Sequence, residues 1–337
     1  MKALVYTGPK SVEVRETEQP QPKPGEVLLK LQLCGVCGTD IGIHSGSHPR
    51  AAAPLILGHE FVGEVVTPGS RFGPGQRVVA YPLFSCGTCH PCRTGKPHVC
   101  NSLRLIGIDG DGGIAQYLAV DEDMLFAVPE EMDNRIAALV EPMAVALRAV
   151  EQSGMGLADR IAVLGAGPIG LLTALAARQA GAASVLVSDV DPARLALARD
   201  LGFQPVDLRH EDLSAQVQTM TGGDGVDVVF ECAGVADAAG DMTRIARPGG
   251  TICLTSLHKS PCPVALLDIA FKELRLVGSR VYTREQFRRS IDLAMTLADD
   301  LERLITRTLP LSQSAQVFEL IAARDEANVK VLIDCTA

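Results

Sequence analysis

Three glycines sit between the apolar run Ile161-Ala162-Val163-Leu164 and a helix-forming stretch, in the order Gly165-Ala166-Gly167-Pro168-Ile169-Gly170. Little else in the chain restricts its fold as strongly. Gly165 suits a tight turn, Gly167 lets backbone approach a ligand closely, and Gly170 lets the helix pack close on the strand. The helix start offers free N–H groups and a partial positive charge to a pyrophosphate. A second apolar run, Ser184 to Ser188, ends at Asp189, close to the position about 20 residues on where an acid accepts from a ribose hydroxyl. Strand, turn, helix, strand and acid in this order predict a dinucleotide site made of Gly165, Gly167, Pro168, Ile169, Gly170 and Asp189. The competing reading, a bare glycine turn with Asp189 as a helix cap, does not account for the whole order. A carboxylate at Asp189 would repel a 2'-phosphate, which favours NAD over NADP. Arg194 is a candidate to lie along the ribose, or else a solvated helix arginine.

The pattern around this motif alternates buried strands with helices: a strand over Arg160 to Leu164, a helix over Ile169 to Gln179, a strand over Ser184 to Ser188 and a helix over Pro192 to Leu201. Further apolar strands are expected at Val226 to Glu231, Thr251 to Thr255 and Leu274 to Val277. Such alternation predicts an α/β fold with a parallel, doubly wound sheet, the Rossmann arrangement. The first ~145 residues differ. They are rich in Gly and Pro and carry short β-branched runs, which predict a β-rich, barrel-like domain. The expected division is residues 1–145, 146–283, and a C-terminal segment 284–337 whose apolar strand Val329 to Ile333 returns to the first domain.

The chain carries 31 basic and 40 acidic residues for a net charge of −9. That balance disfavours nucleic acid as a partner. No apolar run reaches the ~20 residues of a membrane span, and the first residues do not read as a signal peptide, so a cytoplasmic protein is expected. Ten cysteines in such a setting point to metal or catalysis before disulfides. Four of them, Cys86-x2-Cys89-x2-Cys92-x7-Cys100, have the number and spacing of a closed structural zinc site, in a lobe over about 84–102 too poor in apolar residues to stand by burial. Disulfides and an iron–sulfur site are the rival readings of the same spacing. Cys37, His59, Glu60 and Glu141 together offer a thiolate, an imidazole and two carboxylates. This donor set suits a catalytic zinc that keeps one position for water or substrate.

The motifs Gly35-Val36-Cys37-Gly38-Thr39-Asp40, Gly58-His59-Glu60, the four-cysteine lobe and Gly165 to Gly170 occur in the order in which they occur in the zinc-dependent medium-chain dehydrogenase/reductase superfamily. The chain resembles that superfamily over essentially its whole length. Glu141-Pro142-Met143-Ala144-Val145-Ala146-Leu147 resembles its polyol, or sorbitol-type, branch. The resemblance implies a GroES-like catalytic domain beside the Rossmann domain, two zinc ions per chain and a homodimer or homotetramer. It also implies reversible oxidation of a secondary alcohol of a polyol or sugar alcohol to a ketone, with hydride passing to NAD. The catalytic zinc would be held by Cys37, His59 and a carboxylate, with Glu60 and Glu141 both open as the third ligand, and Thr39 would take the substrate proton. The family often has a histidine relay at the position of Gly42, and here His44, two residues on, is the candidate substitute. An L-threonine or 2,3-butanediol dehydrogenase is the alternative within the superfamily. A non-catalytic NAD-binding zinc protein is the alternative of another class.

Overall fold

The computed structural model describes residues 1–323 and 328–337. The chain forms two compact units, Met1–Glu141 with Thr283–Ala337, and Pro142–Tyr282.

In the first unit the strand Glu26–Gly35 is the hub of a seven-stranded sheet. It pairs antiparallel with Glu60–Val65, Tyr117–Asp121 and Lys330–Asp334. Val27, Leu28 and Leu29 are buried in succession, so the strand is covered on both faces there, while Lys30 is exposed before the buried Leu31. Arg77–Ala80 and Leu125–Ala127 extend the sheet past Glu60–Val65. Ile305–Pro310 runs parallel to Lys330–Asp334 at the other edge. The end of the chain is therefore built into the sheet of its beginning. A separate sheet joins Lys2–Gly8, Ser11–Glu16 and Leu55–Ile56. Lys2–Gly8 has no strand signature in the sequence: Ala3 to Tyr6 are buried without a break, and the run lacks the period-two alternation that marks a half-buried strand.

The second unit is a six-stranded parallel sheet of β1 (Arg160–Leu164), β2 (Ser184–Asp189), β3 (Gln204–Asp207), β4 (Val226–Glu231), β5 (Ala246–Leu254) and β6 (Arg275–Gly278). Its order is β3-β2-β1-β4-β5-β6, the doubly wound pattern whose reversal beside β1 creates a ligand crevice. Local chemistry starts the helices. The Asp191 carboxylate accepts from the N–H groups of Ala193 and Arg194 at the head of Pro192–Asp200, and Asp212 accepts from Ser214 N–H at the head of Leu213–Thr221, as side-chain N-caps do. Gly222, at φ 67°, ends the latter helix in the left-handed region. The core between sheet and helices is aliphatic, with Leu164, Leu186, Val206, Val217, Val229 and Ile252 at its centre.

Candidate active site and metal centres

Strand pairing in the first unit brings Cys37, His59 and Glu60 together. Cys37 follows the hub strand and caps the helix Gly38–His44. Gly35 lies opposite Glu60 in the antiparallel register, which carries His59 to the same sheet end. One donor atom from each of Cys37, His59 and Glu60 lies within 4.8 Å of the others. Ligand bonds of about 2.0 to 2.3 Å around one zinc ion require separations of this order. His59 and Glu60 are buried, and His59 Nδ1 has no hydrogen-bond partner among the described residues. A buried nitrogen left without a partner is costly, and an ion on the imidazole would remove such a cost. Burial disfavours the His59 imidazolium, but the Cys37 thiolate beside it, with Asp40 and Glu141, outweighs burial and raises its pKa well above the ordinary value. The donor set of thiolate, imidazole and carboxylate thus fits a divalent zinc in both geometry and charge.

Three neighbours shape this cluster. Asp40 Oδ2 accepts from Cys37 N–H at 2.8 Å, closing a capping box that fixes the cysteine at the helix start. Burial raises the Asp40 pKa, against the pull of His59 and of that N–H. Lys330, at the start of the final strand, donates to Glu60 Oε2 and to the Val36 carbonyl. Burial pushes its pKa down, yet Glu60 and the Cys37 thiolate prevail and it ends above the ordinary lysine value. Gly35 leaves the space that this pair occupies: a Cβ there would stand 2.2 Å from Glu60 Oε2. Glu141, buried at the head of the helix Val140–Ser153, lies outside the three-donor group but within electrostatic reach of His59 and Lys330.

Thr39 Oγ1 is 3.6 Å from Cys37 Sγ, so the hydroxyl borders the cluster. His44 is placed elsewhere. Its ring stacks on Phe318 with centroids 4.2 Å apart, and it is not in the three-donor group. Neither Lys330 nor Asp40 was picked out as a site residue from sequence. Asp40 was within reach, because an acid three residues after the capping residue is a capping-box signal.

The four remaining lobe cysteines are Cys86, Cys89, Cys92 and Cys100, all free thiols whose sulfurs lie within 4.8 Å of one another. Cys86 to Cys92 is 4.0 Å, Cys89 to Cys92 3.4 Å and Cys89 to Cys100 3.8 Å. A tetrahedron with Zn–S bonds of about 2.3 Å has an edge of about 3.8 Å, whereas a disulfide needs about 2.05 Å. The Thr88 hydroxyl and the N–H of Cys89 lower the Cys86 thiol to about 5, while burial and the Cys89 thiol raise that of Cys92 to about 11; a metal requires all of them as thiolates. The short antiparallel pair Leu83–Phe84 and Arg104–Leu105 closes the base of the lobe.

In the second unit, Gly165 follows β1 with φ 102°, and a Cβ on Gly170 would lie 1.8 Å from the Gly165 carbonyl oxygen. Gly167 is the N-cap of the helix Pro168–Gln179, and a Cβ there would meet only Arg194 Nη1, at 3.9 Å. Pro168 and Ile169 open that helix. Space that a side chain would fill therefore lies over unpaired helix N–H groups, as a pyrophosphate requires. Asp189 ends β2. Its carboxylate accepts from the N–H groups of Ala166, Val190 and Asp191 and lies 4.0 Å from Arg194 Nη1, so it braces the glycine turn and keeps a lone pair for a ribose hydroxyl. Arg194 also approaches Asp191 at 3.6 Å.

Residues 23–130 match the family described as alcohol dehydrogenase GroES-like domain, and residues 168–296 match zinc-binding dehydrogenase. The 2-dehydro-3-deoxy-L-galactonate 5-dehydrogenase of Pseudoalteromonas atlantica is 36% identical over 100% of this chain and 99% of its own length. The L-galactonate-5-dehydrogenase of Escherichia coli K12 is 32% identical over 99% of this chain and 97% of its own. A crystal structure described as a zinc-binding dehydrogenase of Sinorhizobium meliloti 1021, bound to NADP, is 38% identical. It superposes with a TM-score of 0.92 and covers 99% of this chain and 98% of that one. With the three-donor cluster, the cysteine lobe and the glycine turn in place over the full length, the chain belongs to the zinc-dependent medium-chain dehydrogenases, the alcohol-dehydrogenase-like oxidoreductases.

Proposed function

We propose that this protein oxidises a secondary hydroxyl of a polyol or sugar alcohol to the ketone, reversibly, using NAD and two zinc ions per chain, one catalytic and one structural. The convergence of one donor atom each of Cys37, His59 and Glu60 within 4.8 Å of one another carries this reading. Relatives named for galactonate derivatives support polyhydroxylated substrates and extend the class to sugar acids.

When bound, the catalytic ion supplies Lewis-acid polarisation of the substrate hydroxyl, and the nicotinamide accepts the hydride. Cys37, His59 and Glu60 hold the ion, and the Cys37 thiolate and Glu60 carboxylate together offset its charge. Lys330 holds Glu60 in place and tempers the negative charge of the cluster. Thr39 Oγ1, bordering Cys37, accepts the substrate proton while passing its own hydroxyl proton on. Glu141 adds a second carboxylate that favours a cation at His59. Asp40 fixes the Cys37 backbone so that its sulfur has one direction. His44, stacked on Phe318, is left without a part in this scheme, and the proton leaves Thr39 by water. Cys86, Cys89, Cys92 and Cys100 would hold the second zinc, through four thiolates. In the second unit Gly165 to Gly170 take the pyrophosphate, and the Asp189 carboxylate selects against a 2'-phosphate.

Leu266, Leu267 and Phe271 on the helix Leu266–Phe271, and Leu276 in β6, are exposed apolar side chains, and β6 is a sheet edge. Exposed edges and apolar patches of this kind favour self-association, which supports a homodimer or homotetramer, readable as mass by light scattering. The functional test is a screen of NAD reduction with sorbitol, xylitol, galactitol, aldonates, butanediol and threonine. Polyols or aldonates are expected to turn over, with kcat/KM for NAD at least about tenfold above NADP, a preference worth about 1.4 kcal/mol. Turnover of threonine alone contradicts the substrate class.

A further inference from the structure

The cofactor-binding unit contains three cysteines outside the sites described, and burial raises the thiol pKa of two of them. Cys253 is fully buried, its Sγ is 3.6 Å from the Ala149 carbonyl oxygen, and burial pushes its thiol to about 11. Burial pushes Cys232 higher still. Cys262 is different. It lies in the segment after β5, partly exposed between the exposed Pro261 and Pro263. Its Sγ is 3.5 Å from His258 Nδ1, and His258 Nε2 is 3.0 Å from Oε2 of Glu231. Glu231 ends β4 and has no exposed surface. Its Oε2 also accepts from the Ser256 hydroxyl, while Oε1 accepts from the N–H groups of Ala233 at 2.9 Å and Gly234 at 2.8 Å.

Thiol, imidazole and carboxylate therefore stand in series, with the ring between sulfur and oxygen. They do not converge as a metal cage would, and they form none of the three-donor groups among the described residues. A carboxylate that accepts from one ring nitrogen leaves the other as the acceptor for a thiol proton and stabilises the imidazolium that results. A thiolate beside an imidazolium is the reactive form of cysteine at neutral pH.

We propose that Cys262, His258 and Glu231 form a reactive-thiol site that undergoes exchange with small-molecule disulfides and is coupled to cofactor binding. His258 Nδ1 takes the thiol proton, and the Cys262 thiolate attacks one sulfur of a disulfide R–S–S–R. The new Cys262–S–S–R bond forms as the old S–S bond breaks, and the electron pair leaves with the second sulfur, which takes the proton back from His258. Cys262 is oxidised and the released thiol is the reduced product, so the disulfide is the only oxidant needed. The coupling runs through Glu231. Its Oε1 pins Ala233 and Gly234, and the Ala233 backbone nitrogen lies 3.0 Å from where a Cβ on Gly165 would stand. An adduct on Cys262 takes the thiol from His258, disturbs the ring on Glu231, and loosens the loop that backs the glycine turn.

The test treats the zinc-loaded, full-length protein with glutathione disulfide and follows each cysteine by peptide mass, in the wild type, His258→Gln and Cys262→Ser. Cys262 is expected to acquire the adduct at pH 7 about tenfold faster in the wild type than in His258→Gln. The rate in His258→Gln should rise between pH 6.5 and 8 as for an ordinary thiol, and the wild-type profile should differ from it. NADH affinity of the fully modified wild type should fall several-fold and that of treated Cys262→Ser should not change. Equal rates with the same pH profile in the wild type and His258→Gln, or no adduct at Cys262, overturn the reactive site. An affinity unchanged by complete modification, or lost equally in Cys262→Ser, overturns the coupling. Circular dichroism of His258→Gln checks that the variant is folded, and Glu231→Gln, expected to lie between the two rates, reads the same relay from its other end.

Discussion

Lys330 and Glu60 face each other with side chains 3% and 2% exposed, where the final strand meets the reactive cluster. Removing one partner of a buried pair leaves an uncompensated charge, which typically costs about 3 to 5 kcal/mol. Lys330→Met is therefore expected to lose stability of that order in denaturant titration and to weaken metal retention at Cys37, with Lys330→Arg recovering part of both. A Lys330→Met protein as stable as the wild type would show that Glu60 does not depend on this cation. Nothing in the sequence pointed to Lys330. Followed by Val331, Leu332 and Ile333, it reads as the solvated end of an apolar strand, and no spacing rule ties position 330 to position 60. Cys37, His59 and Glu60 were legible because each sits in a short glycine-flanked motif whose residue types carry chemistry. The choice between Glu60 and Glu141 was not, since sequence separation carries no distance. The structure groups Glu60 with Cys37 and His59 and sets Glu141 at electrostatic range.

Single carboxylates also hold whole segments. Glu122 accepts from Ser70 Oγ at 2.6 Å and from the N–H groups of Ser70 and Phe72 at 2.9 and 2.8 Å, and it accepts from Arg71 N–H as well. Gly69 is required there, because a Cβ would stand 2.1 Å from Glu122 Oε1. The Ser70 hydroxyl first, and then these N–H groups, lower the Glu122 pKa to about 2 from its ordinary 4.5. A folded-state pKa below the unfolded one contributes stability that is full above pH 4.5 and fades as pH falls toward 2. Glu122→Gln should thus melt below the wild type at pH 7, and the gap should close between pH 4.5 and 2. A gap that persists unchanged at pH 2.5 would contradict the ionised Glu122. The cysteine lobe is a second case of side chains holding backbone, and its spacing made it readable. The parallel sheet was readable for the same kind of reason: its central strands carry short apolar runs, Ile161 to Leu164, Val185 to Val187 and Val228 to Phe230, each followed by turn or helix signals. Gln204–Asp207 was not, because an edge strand with one fully buried residue, Val206, offers no pattern.

The whole chain divides its donors cleanly. Both metal-ligand groups lie in the unit made of Met1–Glu141 and Thr283–Ala337, and the glycine turn lies in Pro142–Tyr282. That the first unit is discontinuous follows from the strand Lys330–Asp334, which pairs with Glu26–Gly35 and so ties the chain's end to the sheet that carries Cys37. No helix among the described residues is long and apolar enough to cross a membrane. If the two units have separate tasks, damage to one should leave the other's ligand in place. The most direct test counts zinc per chain in the wild type and in Cys37→Ser, and measures NADH affinity and polyol-dependent NAD reduction in both. The wild type should hold two ions and turn over. Cys37→Ser should hold one, bind NADH within about twofold of the wild type, and lose more than about a hundredfold in kcat/KM, at least the loss that outer-shell changes around a metal cause. Two ions and undiminished turnover in Cys37→Ser would contradict the account.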